Sequence, residues 1–179
     1  MIVAYVAMLC GCALPLCAGS ESQPPNVILI YADDMGYDSV SGYNDKIGKF
    51  QSPALDQLMK EGLAFQNAHS SCSVCSPSRY SLLTGQYSWR TSKKSGIVKQ
   101  TEKSWIAEDR LTIAGMLKAK GYDTCMIGKW HLGWDWPMKP TQGRGWDAVD
   151  FTQRIPGGPV DRGFDYYFGD DVPNWAPFT

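Results

Sequence analysis

Three short stretches carry residue types that could do chemistry together. Cys75-Ser76-Pro77-Ser78-Arg79 puts a thiol at a helix N-terminus, where free N–H groups and the helix dipole favour an anion. Arg79 follows one turn later with a rigid fork for oxyanions. Gly128-Lys129-Trp130-His131 closes a short strand. In an extended segment positions i and i+2 project to one side, so Lys129, a clamp for a polyanion, and His131, a proton carrier near neutral pH, can face one site. Finally, Asp33 and Asp34 are adjacent carboxylates that repel each other unless solvent, arginine or a cation intervenes, and a hard divalent metal is one solution.

Each stretch also has a structural reading: a solvated turn for Asp33-Asp34, a surface charge for Lys129, a packed polar group for His131. His69 reads as structural. Cys72 and Cys75 are spaced C-x-x-C, which suits a redox pair or half of a zinc site. No second C-x-x-C and no histidine cluster accompanies it, and the flanks do not supply a thioredoxin-like context.

The elements that must position these residues alternate in type. Residues 26–32 (NVILIYA) are a nearly continuous apolar run after Pro24-Pro25 and suit a strand buried on both faces. Ser52-Pro53 starts a helix with Leu55, Leu58 and Met59 as its apolar stripe and Gly62 as its stop. A second helix is signalled by Ser76 as N-cap and Pro77 as first residue, and runs to Gly85. A third spans residues 111–120, with Gly121 beyond it, and residues 122–127 form another strand closed by Gly128. From Pro137 on the chain is rich in Gly, Pro and Trp and reads as loop with one short aromatic element. Alternating strands and helices predict an α/β sandwich with a mostly parallel sheet, whose functional residues collect at the carboxyl ends of strands.

Composition agrees with a globular domain: 44% of residues are hydrophobic and 12% aromatic. Lys and Arg number 17 against 18 acidic residues, with no run of one sign, which argues against a nucleic-acid partner or a polybasic membrane anchor. Residues 1–20 are apolar and end in small residues before the polar ESQPP, and read as a secretory signal peptide and the only membrane-directed segment. No Lys or Arg lies near Met1, and a buried N-terminal helix or a lipid anchor through Cys12 are the alternatives. The expected location is exported, periplasmic or extracellular. Cys10, Cys12 and Cys17 leave with the leader, so Cys72, Cys75 and Cys125 are too few for a disulfide scaffold.

Residues 75–85 (CSPSRYSLLTG) resemble the C-x-P-S-R signature of the sulfatase family, and residues 121–133 (GYDTCMIGKWHLG) resemble its second signature. NVILIYADDMGYD is similar to that family's opening strand with its metal-binding aspartates, and GFDYYFG at 163–169 to a further recurrent segment. The likeness implies a formylglycine-dependent, arylsulfatase-like sulfuric ester hydrolase of the alkaline phosphatase superfamily, with that superfamily's α/β sandwich. It implies that a maturation enzyme oxidises Cys75 to formylglycine, and that Asp33, Asp34 and residue 75 hold a divalent cation, Ca2+ or Mg2+. Arg79, Lys129 and His131 would then serve the catalytic step. The substrate would be a sulfated small molecule or carbohydrate.

Sulfatases are similar in needing a second metal-binding pair and a further His and Lys downstream of these motifs. The resemblance therefore implies that residues 21–179 are the N-terminal part of a catalytic domain, an incomplete sandwich that alone turns over slowly or not at all. Two or three strands are too few for a doubly wound sheet, and 7 tryptophans need more core than they supply. Other readings are a phosphonate or phosphate ester hydrolase with the same modified cysteine, a non-catalytic fragment, and a thiol-redox protein.

Overall fold

The computed structural model describes residues 24–43, 50–140 and 145–171, so the expected leader over 1–20 lies outside the described residues. The chain divides into two units, Met1–Asp34 and Met35–Thr179.

In the first unit residues 26–32 form no strand, contrary to expectation. A strand buried on both faces needs a hydrogen-bonded neighbour and a layer over each face. The described residues of this unit supply neither, and Ile28 is 86% and Ile30 79% exposed.

In the second unit, helix α1 spans Pro53–Glu61, with Pro53 in its first turn and Gly62 as its C-cap, as the sequence indicates. Ser52 does not cap the backbone; its hydroxyl meets Asp56 and Ser41 instead, tying the 41–43 turn to the helix. Helix α2 spans Cys75–Thr84, and helix α3 spans Ile113–Lys118. Helix α3 is shorter than expected because Thr112 caps it: its hydroxyl accepts from Gly115 N at 3.0 Å and donates to the Arg162 carbonyl.

Strand β1 (Cys125–Ile127) and strand β2 (Tyr166–Phe168) pair in parallel, Met126 opposite Tyr167. Strand β2 is the short aromatic element. Asp165 joins the strand entrances, since its carboxylate accepts from Thr124 N at 2.9 Å and pairs with Lys118. At the other end Gly128 N donates to Phe168 O at 2.9 Å and Trp130 N to Asp170 O at 2.8 Å. The approach there is so close that a Cβ on Gly169 would lie 2.0 Å from the Gly128 carbonyl oxygen.

The core sits on one face of this ribbon. Tyr80 and Leu83 of α2 pack with Ile106, Trp130 and Leu132, and the middle residues Met126 and Tyr167 close on them. Trp130 is fully buried and its indole N–H is satisfied by Gly133 O at 2.9 Å. Burying such a ring removes roughly 150–250 Å² from water, which makes it a principal anchor of the turn after β1.

Candidate active site

Helix α2 starts two residues earlier than its sequence signals suggest. Val74 is the N-cap, with no side-chain capping bond, and Cys75 is the first helical residue; Ser78 N donates to Val74 O at 3.1 Å. The reason is that Ser76 is engaged elsewhere. It is fully buried and its hydroxyl accepts from the backbone N–H of Val98 at 3.0 Å. Cys75 is half-buried at the open end of the helix, and Cys72, Cys75 and Cys125 are all free thiols.

Val98 faces two ways. Its carbonyl meets His131 Nε2 at 3.0 Å, and since a carbonyl only accepts, Nε2 carries the proton. One backbone residue thus spans from the neighbour of the candidate nucleophile to the candidate base. The neutral imidazole in that tautomer presents Nδ1 as its basic atom.

Arg79 is buried, and its Nη1 donates to the Lys129 carbonyl oxygen at 2.5 Å, fastening α2 to the turn after β1. Hydrogen bonds from a charged donor are worth about 1.5–3 kcal/mol. Lys129 is half-buried and His131 almost wholly buried. The two do not continue an extended strand, as the i, i+2 reading supposes. Strand β1 ends at Ile127, Gly128 has φ 110° and His131 φ 55°, so a turn sets their directions.

The segments carrying Cys75, Arg79, Lys129 and His131 are therefore linked through three hydrogen bonds, Ser76-Val98, Val98-His131 and Arg79-Lys129. Asp33 and Asp34 belong to the other unit. Among the described residues only Asp34 and His131 combine a side chain with a left-handed backbone. No group of three His, Cys, Asp or Glu side chains among the described residues could hold a metal ion. No described helix is long and apolar enough to cross a membrane.

Asp171, at the carboxyl end of β2, was not expected at the site. Both its oxygens are shielded from solvent and hydrogen-bond to nothing among the described residues. Burial pushes its carboxyl up to about 6, against a smaller opposing effect of Trp134, whose indole N–H is near without meeting hydrogen-bond geometry. Burial, then the charges of Asp171 and Asp170, raise the Tyr167 hydroxyl as well, while Arg79 opposes. Sequence reasoning also missed Val98, whose role is carried by its backbone. Asp170-Asp171 did have a signal: an acidic pair just after an apolar strand, the pattern that singled out Asp33-Asp34.

Comparison with known proteins gives this arrangement a context. The family model described as Sulfatase matches residues 25–174. An N-acetylgalactosamine-6-O-sulfatase of Bacteroides thetaiotaomicron is 38% identical over 165 residues, 91% of this chain and 30% of that protein. Arylsulfatase A of Homo sapiens is 40% identical over 121 residues, 67% of this chain and 24% of that protein. A solved structure from work on the metabolism of multiple glycosaminoglycans by Bacteroides thetaiotaomicron superposes with a TM-score of 0.69 at 37% identity, covering 83% of this chain and 28% of that chain. The crystal structure of Ps i-CgsB gives 0.63 at 31% identity, covering 82% of this chain and 28% of its own. The chain thus spans roughly a quarter to a third of the length of these relatives, and its helices and small parallel sheet are an incomplete version of their α/β fold.

Proposed function

The chain belongs to the sulfatase family, and from that premise we propose that it carries the nucleophile side of a sulfate monoester hydrolase, with Cys75 oxidised to formylglycine by a dedicated maturation enzyme. The observation that supports this most is the Val98 clamp, which holds Ser76, next to Cys75, and His131 on one backbone residue. On the same reading residues 1–20 are an export signal and residues 21–179 the N-terminal part of the catalytic domain.

Hydrated formylglycine has two hydroxyls on one carbon. One oxygen attacks sulfur, the bond from sulfur to the ester oxygen breaks, and the alcohol leaves with a proton. His131 Nδ1 takes the proton of the second hydroxyl, the C=O bond re-forms, and sulfate departs with the electrons of its bond to carbon. A serine ester has no second hydroxyl and would have to wait for water. Arg79 and Lys129 offset the negative charge of sulfate. Asp33 and Asp34 are hard oxygen donors of the kind Ca2+ or Mg2+ takes, and on this reading they would be metal ligands. The chemistry a divalent cation would supply to such a hydrolase is to acidify the attacking hydroxyl and neutralise sulfate oxygens.

The test is peptide mass spectrometry after co-expression with a formylglycine-generating enzyme. The peptide containing Cys75 should lose about 18 Da as the thiol becomes an aldehyde. An unmodified thiol, with the maturation enzyme active on a control, would sink the proposal. Parallel turnover of matched sulfate and phosphate esters by a chain completed with its family's remaining segments should favour sulfate.

A further inference from the structure

The chemistry above uses Cys75 and leaves Cys72, the other half of the C-x-x-C pair, without a role. Both thiols are free and half-buried. Ser73 and Val74 between them are exposed, whereas Ser76, Pro77, Ser78 and Arg79 on the far side of Cys75 are buried. The pair therefore sits at the rim of the fold, where a small dissolved reagent can reach it.

Local structure holds the two cysteines around one bend. The chain bends at Ser73 and Val74, and helix α2 begins at Cys75. On the N-terminal side Cys72 O accepts from the Ser70 hydroxyl at 2.6 Å, and the same hydroxyl meets Ser78 Oγ of α2 at 2.8 Å. On the C-terminal side Ser76 is held by Val98. Both arms of the bend are thus fastened to α2 and its surroundings. A disulfide needs Cα atoms about 4.4–6.8 Å apart, a span that a chain bent over two intervening residues covers. Cys125 has a different setting, exposed on β1, whose middle residue Met126 packs on the core.

We propose that Cys72 and Cys75 form a reversible disulfide, a modification that withholds Cys75 from conversion to formylglycine and makes acquisition of the nucleophile depend on the surrounding redox state. The gating rests on the formylglycine reading above; the bridge itself does not. The oxidant is a small disulfide such as oxidised glutathione. One cysteine thiolate attacks it, a mixed disulfide forms and one glutathione thiolate leaves. The second cysteine thiolate attacks the protein sulfur of the mixed disulfide, closing the Cys72–Cys75 bond and expelling the second glutathione. Two electrons pass from the cysteines to the small disulfide, and the two thiol protons end on two molecules of glutathione. Excess reduced glutathione runs these steps backwards and returns Cys75 as a thiol. The loop closed is short, and stabilisation by a bridge grows with loop length, so this one adds little to the fold and stays easily reduced. While it is closed, residue 75 offers a maturation enzyme no thiol to oxidise.

The experiment uses the whole 179-residue chain. Purified without a maturation enzyme, it is equilibrated with reduced and oxidised glutathione, trapped with iodoacetamide and digested with trypsin, which leaves Cys72 and Cys75 together in residues 61–79 and Cys125 in residues 121–129. In oxidised glutathione peptide 61–79 should resist alkylation and lack the mass of two hydrogens, and dithiothreitol should restore both labels. A fully alkylated peptide under those conditions, one joined to residues 121–129, or one held as a mixed disulfide overturns the bridge. For the gate, the parent chain and Cys72→Ser are co-expressed with a formylglycine-generating enzyme in a bacterial host with a reducing cytosol and in one with an oxidising cytosol. Conversion of Cys75 should fall about tenfold in the oxidising host for the parent and stay level for Cys72→Ser. An equal fall in both chains, or a fall in neither, overturns the gate. If Cys72→Ser is converted in neither host, the hydrolase reading fails and takes the gate with it, while the alkylation result still decides the bridge.

Discussion

Replacing Asp171 by Asn tests whether this carboxyl is held in the environment described. Its pKa is pushed from the ordinary 3.8 to about 6, burial being the main cause. Below pH 3.8 it is protonated whether the chain is folded or not, and the stability linked to it is fully present. As pH rises toward about 6 the unfolded chain ionises first, so that stability is lost, and above the folded value the loss is complete. At about 1.36 kcal/mol per pKa unit the ceiling is about 3 kcal/mol. The residue is only half-buried, and solvent screening reduces this to about 1–2 kcal/mol. Asparagine cannot ionise, so Asp171→Asn should gain that amount on the parent between pH 4 and pH 7.5, whatever fixed cost its amide brings. Urea unfolding followed by tryptophan fluorescence at both pH values measures it through linear extrapolation. A variant-minus-parent difference that is flat over this interval, or that falls, would refute the reasoning.

Two further outcomes follow from contacts at the same end of the fold. Arg79→Lys keeps the charge but loses the planar fork that reaches the Lys129 carbonyl, and should cost about 1.5–3 kcal/mol in urea unfolding; an unchanged midpoint would mean that α2 is not fastened there. Gly169→Ala places a methyl 2.0 Å from the Gly128 carbonyl oxygen, so the strand ends must part and near-UV circular dichroism should collapse; a native-like spectrum would contradict the parallel register.

Much of the fold was legible wherever a signal was local. Ser52-Pro53 marks the start of α1 and Gly62 its end, because proline fixes φ and glycine accepts a stop irrespective of what surrounds them. Signals failed where a side chain is used at a distance. Ser76 looks like an N-cap, yet Val98, far along the chain, takes its hydroxyl and the helix begins at Cys75. Residues 26–32 show the right apolar run, but a strand is a property of a pair, and no described partner forms a ladder with it. Cys75, Arg79, Lys129 and His131 were proposed by chemical type, and the fold joins their segments through Val98 and the Lys129 carbonyl. Val98 left no trace because any residue's backbone could do its work.

The left-handed backbone at His131 shows how the turn after β1 departs from the extended continuation that periodicity predicts. A left-handed φ on a residue with a side chain costs on the order of 1–3 kcal/mol and persists only where the surroundings impose it. Here they do: Trp130 is locked in the core on one side, Leu132 O accepts from Trp105 N at 2.8 Å on the other, and the imidazole between them is held by Val98. An extended continuation of β1 would have aimed Lys129 and His131 by the pleat alone, with nothing to keep the ring from rotating. The turn gives up that local stability and in return fixes the imidazole tautomer with Nδ1 as the basic atom. Asp34, the other described residue with a side chain and positive φ, was also chosen from the sequence for its chemistry. Local strain thus falls at two residues for which proton and cation chemistry is proposed.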